Sequence, residues 1–436
     1  MFSLLIRLAL FLAGSTMLLD QLAPMQLVGG YVTTPNKIIS FVLLVLVAGD
    51  WLLRGSRPRP DRKLPWIAGF YVSLVVGTVY VSALGLASEH LLFRWTTYAA
   101  VLIFYFILRH TIRTVRDLDL FMIALIVSGV IATASAVLLP GSGGIWSPER
   151  RSGVGAGENQ AAANLLMILP FTYALYLRYR SQVAKALVAG AAVMLVFGMV
   201  LTVSRSALLA AVAMGTLALI RMPRIRDPRA ILATALLIAF GVWIAPAGYA
   251  ARLGQLFGFL EGSPVVYGGD LGARAAVYKA AVEAFLSNPL LGVGTERFVS
   301  WLHATHPEVT LFVPHNVILE VASQEGLLGL VPFVAILVLT FTDLDRAQKM
   351  LRLRGDPTDP LIRGLFLRCA LLQLGYVGIL VVGQFQPLAF SRGLWVMFAL
   401  STVAVNLARE AVRASPAREA RSFAGGHGAT GGEPSG

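Results

Sequence analysis

The stretch that decides the fold is residues 314–341, which read PHNVILEVASQEGLLGLVPFVAILVLTF. Its second half is continuously apolar, and the whole stretch is long enough for a helix to cross about 30 Å of hydrocarbon. Its first half is unusual because a histidine, an asparagine, a glutamine and two glutamates fall close together. Ionisable groups at membrane depth are costly and usually line a cavity or a reaction site. We therefore interpret it as a membrane helix with a functional entrance, at which His315 is the main candidate residue.

The rest of the chain repeats the apolar half of this pattern. Of its 436 residues, 57% are hydrophobic and 14% are charged, whereas soluble domains average about 25% charged residues. The apolar residues fall in blocks of about 17–25, the length of a membrane-crossing helix. The sequence thus predicts an all-α, polytopic membrane protein. Its twelve predicted spans lie near residues 3–19, 36–53, 64–84, 91–109, 118–139, 161–177, 184–203, 206–220, 230–246, 316–341, 361–383 and 390–408.

The formal net charge of +13 follows from topology rather than from nucleic-acid binding. Most of the lysines and arginines lie in the connections after the even-numbered spans and in the C-terminal tail. The positive-inside rule places those connections and both termini in the cytoplasm. We therefore predict one membrane domain over residues 1–409, with an outward loop inserted at 247–315, and a disordered cytoplasmic tail over residues 410–436. The tail is expected to be disordered because it is rich in glycine.

The outward loop is too long to be structureless in a compact domain. Asp270 can cap a helix in which Val277, Ala281 and Phe285 recur every four residues, and Asn288-Pro289 would end it. We expect this amphipathic helix to lie on the outer face of the bundle. A second short helix is expected over Glu296–Trp301.

Few basic residues face outward in this topology. Arg205 lies in a hairpin tight enough to hold its guanidinium near the lipid headgroups, and Arg274 lies on the loop helix. Arginine presents a planar fork that suits phosphate oxygens. The alternative for both is an arginine that only snorkels to the interface. The eight outward basic residues are Lys37, Arg150, Arg151, Arg205, Arg252, Arg274, Lys279 and Arg297.

The helix that follows His315 has a polar stripe. Asn316, Glu320 and Gln324 recur every four residues and give one face polar groups, so Glu320 is expected to orient the surroundings of the histidine. The alternative for His315 is a residue that merely caps the helix. Glu158-Asn159-Gln160 forms a second polar entrance on the same side. Two Asp-x-Asp patterns, at 117–119 and 343–345, lie among cytoplasmic arginines, where we expect no metal site.

Four segments of the chain resemble the O-antigen ligase and polymerase superfamily of bacterial inner-membrane glycosyltransferases. The last of them, from Pro314-His315-Asn316 to Gly329, is the most specific. Together they cover about residues 160–330. The segments are Gly155–Gln160 with Leu169-Pro170-Phe171, Thr202–Ser206, Arg274 with Asn288–Gly294 and Phe298, and Pro314–Gly329.

The resemblance implies a GT-C-type helical fold and the residues that do the chemistry. His315 would be the catalytic base, and Arg205 and Arg274 would bind pyrophosphate. The supporting residues would be Asn316, Glu320, Arg151, Glu158 and Arg297. No metal or cofactor is implied.

The implied reaction is an inverting transfer of glycan on the periplasmic face. The donor would be an undecaprenyl-pyrophosphate-linked glycan and the acceptor the lipid A–core, as in the ligases; membrane lipid would surround the protein and no nucleic acid would take part. A polymerase and a protein O-oligosaccharyltransferase of the same superfamily remain alternatives. A transporter is the alternative from another class, although its usual internal repeat is not evident in the sequence.

Overall fold

The computed structural model describes residues 2–19, 25–26, 32–33, 35–54, 59–87, 91–138, 143–144, 147–151, 157–221, 271–309 and 313–426. Within these residues the chain forms thirteen helices. They are α1 (Phe2–Thr16), α2 (Pro35–Arg54), α3 (Leu64–Ala83), α4 (Leu91–Thr111), α5 (Val115–Leu138), α6 (Glu158–Arg178), α7 (Gln182–Leu201), α8 (Arg205–Arg221), α9 (Leu271–Ser287), α10 (Phe298–Thr305), α11 (Val317–Arg354), α12 (Pro360–Gly383) and α13 (Arg392–Gly426).

Two short antiparallel strand pairs complete the described secondary structure. The first joins β1 (Met25–Gln26) to β2 (Val32–Thr33). The second joins β3 (Gly143–Gly144) to β4 (Ser147–Arg151). The fold of the described residues is therefore helical, apart from these two ribbons.

The prediction of a polytopic helical membrane protein is confirmed. Seven of the described helices are long and apolar enough to cross a membrane: α3, α5, α6, α7, α11, α12 and α13. Helices α1, α2, α4 and α8 occupy four further predicted spans. The ninth predicted span, 230–246, lies outside the described residues, so the number of twelve spans stays a prediction, as does the GT-C-type fold.

Helix α12 is the centre of the bundle and packs against α6, α8, α11 and α13. Tyr376 on α12 is completely buried, and its hydroxyl donates a 2.8 Å hydrogen bond to the carbonyl of Leu337 on α11. Gly375 explains the close approach of α6, because a Cβ at this position would lie 2.4 Å from the carbonyl oxygen of Met167. The bundle is thus tightest around α12, whose C-terminus leads to the candidate site.

The two Asp-x-Asp patterns are held in ion pairs at the basic end of the bundle. The Arg368 guanidinium donates two 2.7 Å hydrogen bonds to the carboxylate of the buried Asp119. This bidentate geometry suits a guanidinium and a carboxylate. Asp343 lies 3.1 Å from the Arg62 guanidinium. These carboxylates therefore lock helices together.

The same end of the bundle buries a lysine. Lys63, just before α3, has no exposed side-chain surface and donates a 3.0 Å hydrogen bond to the Ser401 hydroxyl. Burial, which disfavours the charged amine, lowers the pKa of Lys63 to about 8. Its neighbour Asp343, whose Oδ2 lies 3.8 Å away, partly opposes this effect.

The C-terminal helix is longer than its predicted span. Helix α13 continues past residue 409 to Gly426, so a helix covers the first part of the segment predicted to be disordered. Residues 427–436 lie outside the described residues. The division of the chain into a domain and a tail stays a prediction.

Candidate functional site

The predicted amphipathic helix of the outer loop is α9. Its buried residues follow the period of a helix face, and they pack against Phe298 and Leu302 of α10. Phe285, which the sequence placed on this face, is only half-buried. The second helix, expected over Glu296–Trp301, is α10 and runs from Phe298 to Thr305. The buried residues of α9 are Val277, Ala280, Ala281 and Ala284.

Helix α11 is broken in its third turn, and the segment after α9 fills the break. Gly326 has φ 57° and ψ −156°, which interrupts the helix. The N–H groups of Val293 and Gly294 donate to the carbonyls of Ser323 and Gln324 at 2.8 and 3.0 Å. In return, the N–H groups of Leu327 and Leu328 donate to the carbonyls of Pro289 and Leu290 at 2.7 and 3.1 Å. We call these four bonds between 289–294 and 323–328 the interlock.

The interlock requires glycine on both sides. A Cβ on Gly326 would lie 2.4 Å from the backbone carbon and oxygen of Leu290, and one on Gly292 would lie 2.5 Å from the backbone carbon of Gln324. Both residues also have positive φ, which only glycine adopts readily. Two segments that looked like separate motifs in the sequence therefore form a single structural unit.

His315 lies at the entrance to α11 and is half-buried. Its Nδ1 is 2.9 Å from the carbonyl oxygen of Val313. Because a carbonyl can only accept, Nδ1 carries the proton and the lone pair of the ring is on Nε2. This tautomer is the one that a proton acceptor acting through Nε2 requires.

The helix cap is Asn316 and not His315. The Asn316 side chain accepts hydrogen bonds from the N–H groups of Ile318 and Leu319 at 2.9 and 3.0 Å, and its amide nitrogen lies 3.2 Å from the Gln384 carbonyl oxygen. The alternative in which His315 caps the helix is therefore wrong. Asn316 satisfies the helix terminus, and the imidazole is not used for that purpose.

Tyr278 links the loop helix to this entrance. Its hydroxyl donates a 2.6 Å hydrogen bond to the backbone carbonyl of His315. Arg274 is half-buried and lies one helical turn before Tyr278 on α9. The contact brings the Arg274 face of α9 to the histidine. The sequence offered no signal for Tyr278, because its partner is a backbone atom 37 residues away.

Arg205 lies at the same end of the bundle. It begins α8, and the Ser204 hydroxyl in the hairpin before it accepts from the N–H of Ala207 at 3.4 Å. Helices α8 and α12 touch where Met214 meets Gly378. At 1.5 Å per residue, Arg205 lies about 13.5 Å from this contact along α8. Gln384 lies about 9 Å from it along α12, toward the same end of the bundle. Gln384 contacts Asn316, so the start of α8 and the start of α11 lie toward the same end of the bundle.

The four remaining supporting residues lie on different elements. The Glu320 carboxylate accepts a 3.1 Å hydrogen bond from the N–H of Ala389, which ties α11 to the α12–α13 connection. Arg297 precedes α10 and reaches the Val293 carbonyl at 3.5 Å. Glu158 opens α6 and is half-buried. Arg151 ends β4, and its side chain lies outside the described part of the chain.

The sequence did not predict a cluster of carboxylates that lies beside the interlock. Tyr98 donates to the Glu296 carboxylate, and the Arg94 guanidinium lies 3.3 Å from it. Glu325, buried on α11, lies beside Thr295, since a Cβ on Gly77 would contact the side chains of both. Arg94 and Tyr98 lie within a predicted span, where their partners nearly 200 residues away in the chain could not be foreseen.

The comparison with protein families covers this part of the chain. Residues 190–334 match the family described as O-antigen ligase. No curated protein matches the chain significantly. The matched segment runs from α7 to the first half of α11 and contains the interlock, Arg205, Arg274 and His315. Residues 190–334 of this multi-pass membrane protein are therefore similar to the O-antigen ligase family, which supports the superfamily that the sequence resemblance predicted.

Proposed function

We propose that the protein is an O-antigen ligase of the bacterial inner membrane. It transfers glycan from undecaprenyl pyrophosphate to the lipid A–core on the periplasmic face, within a GT-C-type bundle of twelve spans. The observation that carries the proposal is the family match over residues 190–334. Within that match, the described contacts gather the elements bearing His315, Arg205 and Arg274 at one end of the bundle.

The orientation follows from the opposite end of the bundle. That end carries the basic connections, which the positive-inside rule places in the cytoplasm together with both termini. The end with His315 then faces the periplasm. There the lipid-linked donor and the lipid A–core can meet, and no nucleotide is needed because the pyrophosphate already activates the sugar.

The proposed reaction is a single displacement. A hydroxyl of the acceptor sugar attacks the anomeric carbon of the donor, the bond from that carbon to the pyrophosphate oxygen breaks, and the configuration inverts. His315 Nε2 accepts the hydroxyl proton while Nδ1 stays bonded to the Val313 carbonyl. Undecaprenyl pyrophosphate leaves with the bonding electrons. The step balances without a metal or a redox partner.

The two arginines act on the leaving group in this proposal. Negative charge grows on the pyrophosphate as the bond breaks, and fixed guanidinium groups stabilise that charge. Glu320 holds the α12–α13 connection through Ala389 and is a positioning residue. Asn316 fixes the start of α11 and so the backbone of the histidine.

Arg274→Gln tests the role of α9. Removing a charged hydrogen bond to phosphate costs about 1.5–3 kcal/mol, so we expect kcat/KM for the donor to fall on the order of 10–100-fold. Lys279→Gln is the matched control, because Lys279 is an exposed cation on the same helix. Kinetics with purified donor lipid measure both. Equal effects of the two substitutions would refute a pyrophosphate contact at Arg274.

The lipopolysaccharide pattern of a deletion strain tests the reaction. A ligase deletion should leave complete core without attached polymer, and the wild-type gene should restore the polymer. Core bearing a single glycan repeat would instead identify a polymerase, the second candidate within the superfamily. An unchanged pattern would contradict both and would favour a protein acceptor or transport.

A further inference from the structure

A cavity of about 460 Å³ lies between α2 and α4, away from the site described above. Arg59, three residues before the Arg62 that pairs with Asp343, lines it. Asp343 lies 26 residues beyond Val317, the first residue of α11, or roughly 39 Å at 1.5 Å per residue. The cavity is therefore at the basic end of the bundle, far from His315.

Two apolar helix faces form the walls of the cavity. Their lining residues recur at i, i+3, i+4 and i+7, so each set lies on one side of its helix. Trp51 and Phe106 keep 54% and 40% of their surfaces exposed, which opens the walls toward the hydrocarbon. The face on α2 consists of Leu44, Val47, Ala48 and Trp51. The face on α4 consists of Ile103, Phe106 and Ile107, and His110 follows them on the same side of the helix.

The end of the cavity is basic. Arg59, Arg109 and Arg113 join His110 there, and none of the described lining residues is acidic. Two of these residues have carboxylate partners that do not line the cavity: Asp61 lies 3.4 Å from Arg109, and Asp50 lies 3.6 Å from Arg113.

One guanidinium nitrogen in the cavity has unused hydrogen-bonding capacity. Arg59 Nη2 contacts the Glu410 carboxylate at 3.2 Å and the Arg113 carbonyl oxygen at 3.3 Å. Arg59 Nη1 is buried and makes no hydrogen bond within the described structure. Leaving a charged donor unsatisfied costs free energy, so an acceptor in the cavity would be stabilising. A phosphate oxygen is such an acceptor, and a guanidinium binds it well.

We propose that this cavity binds an anionic phospholipid. The phosphate lies against Arg59 and Arg113, and an acyl chain lies along the apolar faces of α2 and α4, with Trp51 at the level of the headgroup. Basic pockets between membrane helices suit anionic headgroups in this way. In the orientation given under Proposed function, the lipid comes from the cytoplasmic leaflet. The recognition itself does not depend on the reaction at His315.

Thermal unfolding of the purified full-length protein in detergent tests the proposal. Phosphatidylglycerol, phosphatidylcholine and inorganic phosphate are added separately, and native mass spectrometry counts the bound lipids. We expect phosphatidylglycerol alone to raise the midpoint and to remain bound. Arg59→Gln should weaken that binding about tenfold, the value of one charged hydrogen bond. Arg116→Gln, at an exposed arginine on α5, should leave it unchanged.

Each other outcome overturns the proposal. Equal stabilisation by inorganic phosphate would make the site one for a free anion, and equal stabilisation by phosphatidylcholine would make it a nonspecific groove. Equal losses for Arg59→Gln and Arg116→Gln would reduce it to general surface charge. If Arg59→Gln fails to fold, Trp51→Ala decides, because this half-exposed residue lines only the lipid-facing wall. Unchanged lipid binding in Trp51→Ala would then refute the site.

Discussion

His315→Ala should reduce glycan transfer by about 10²–10⁴-fold, the usual contribution of a positioned general base. The substitution removes the imidazole but leaves the Asn316 cap and the backbone of α11 in place. We therefore expect normal amounts of folded protein. The measurement is the rate of transfer from purified donor lipid to core acceptor in proteoliposomes. Wild-type ligation by His315→Ala would rule out the assignment of the base.

Two companion variants separate chemistry from structure. His303→Ala removes an exposed histidine of α10 and should leave the rate unchanged. Tyr278→Phe removes the 2.6 Å hydrogen bond to the His315 carbonyl and should lower the rate without changing the apparent affinity for donor. If both companions behaved like His315→Ala, the loss would reflect damage to the outer end in general.

Gly326→Ala should prevent the interlock from closing. The backbone at Gly326 lies in a region that is essentially restricted to glycine and costs of order 1–3 kcal/mol for other residues. The new Cβ would also lie 2.4 Å from the backbone of Leu290, which has no freedom to retreat because its carbonyl is bonded to Leu328. We expect a loss of more than about 3 kcal/mol, a large part of the ~5–15 kcal/mol that stabilises a typical protein.

The matched control is Gly190→Ala on α7, where a Cβ would meet no atom within 4 Å. It should be neutral or slightly stabilising, because alanine favours a helix by up to about 1 kcal/mol over glycine. Thermal midpoints and folded yields in detergent compare the two variants. Equal midpoints would show that the break in α11 is not essential to the fold.

Local patterns predicted the described helices well. The apolar blocks located both ends of α12 and the start of α11 within one residue, because hydrocarbon thickness fixes the length of a span. The end of α11 was missed, because the helix continues past its predicted end at residue 341 to Arg354. The buried period in α9 was visible because a helix face repeats every three to four residues. Such signals lie within one segment, and no distant partner is needed to read them.

The candidate site was predicted only in its components. The sequence singled out His315, Arg205 and Arg274 as polar oddities in an apolar chain, but the placement of their helices depends on the packing of α8 against α12 and of α9 against α11. The interlock could not be predicted because it consists of backbone hydrogen bonds between residues 30 to 38 positions apart in the chain. The surroundings of Glu325 could not be predicted either, because its neighbour Thr295 lies on a different segment of the chain.

The position of the α12–α13 connection in the chain determines when the start of α11 can make its contacts. Chains are made from the N-terminus, and early segments fold first where they can. Yet the contacts of Asn316 and Tyr278 with Gln384, and that of Glu320 with Ala389, bind to residues synthesised after α12. A nascent chain that ends before Ala389 therefore contains His315 and both arginines but lacks the contact between Glu320 and Ala389. The contacts that hold the start of α11 can therefore form only after α12 has been synthesised.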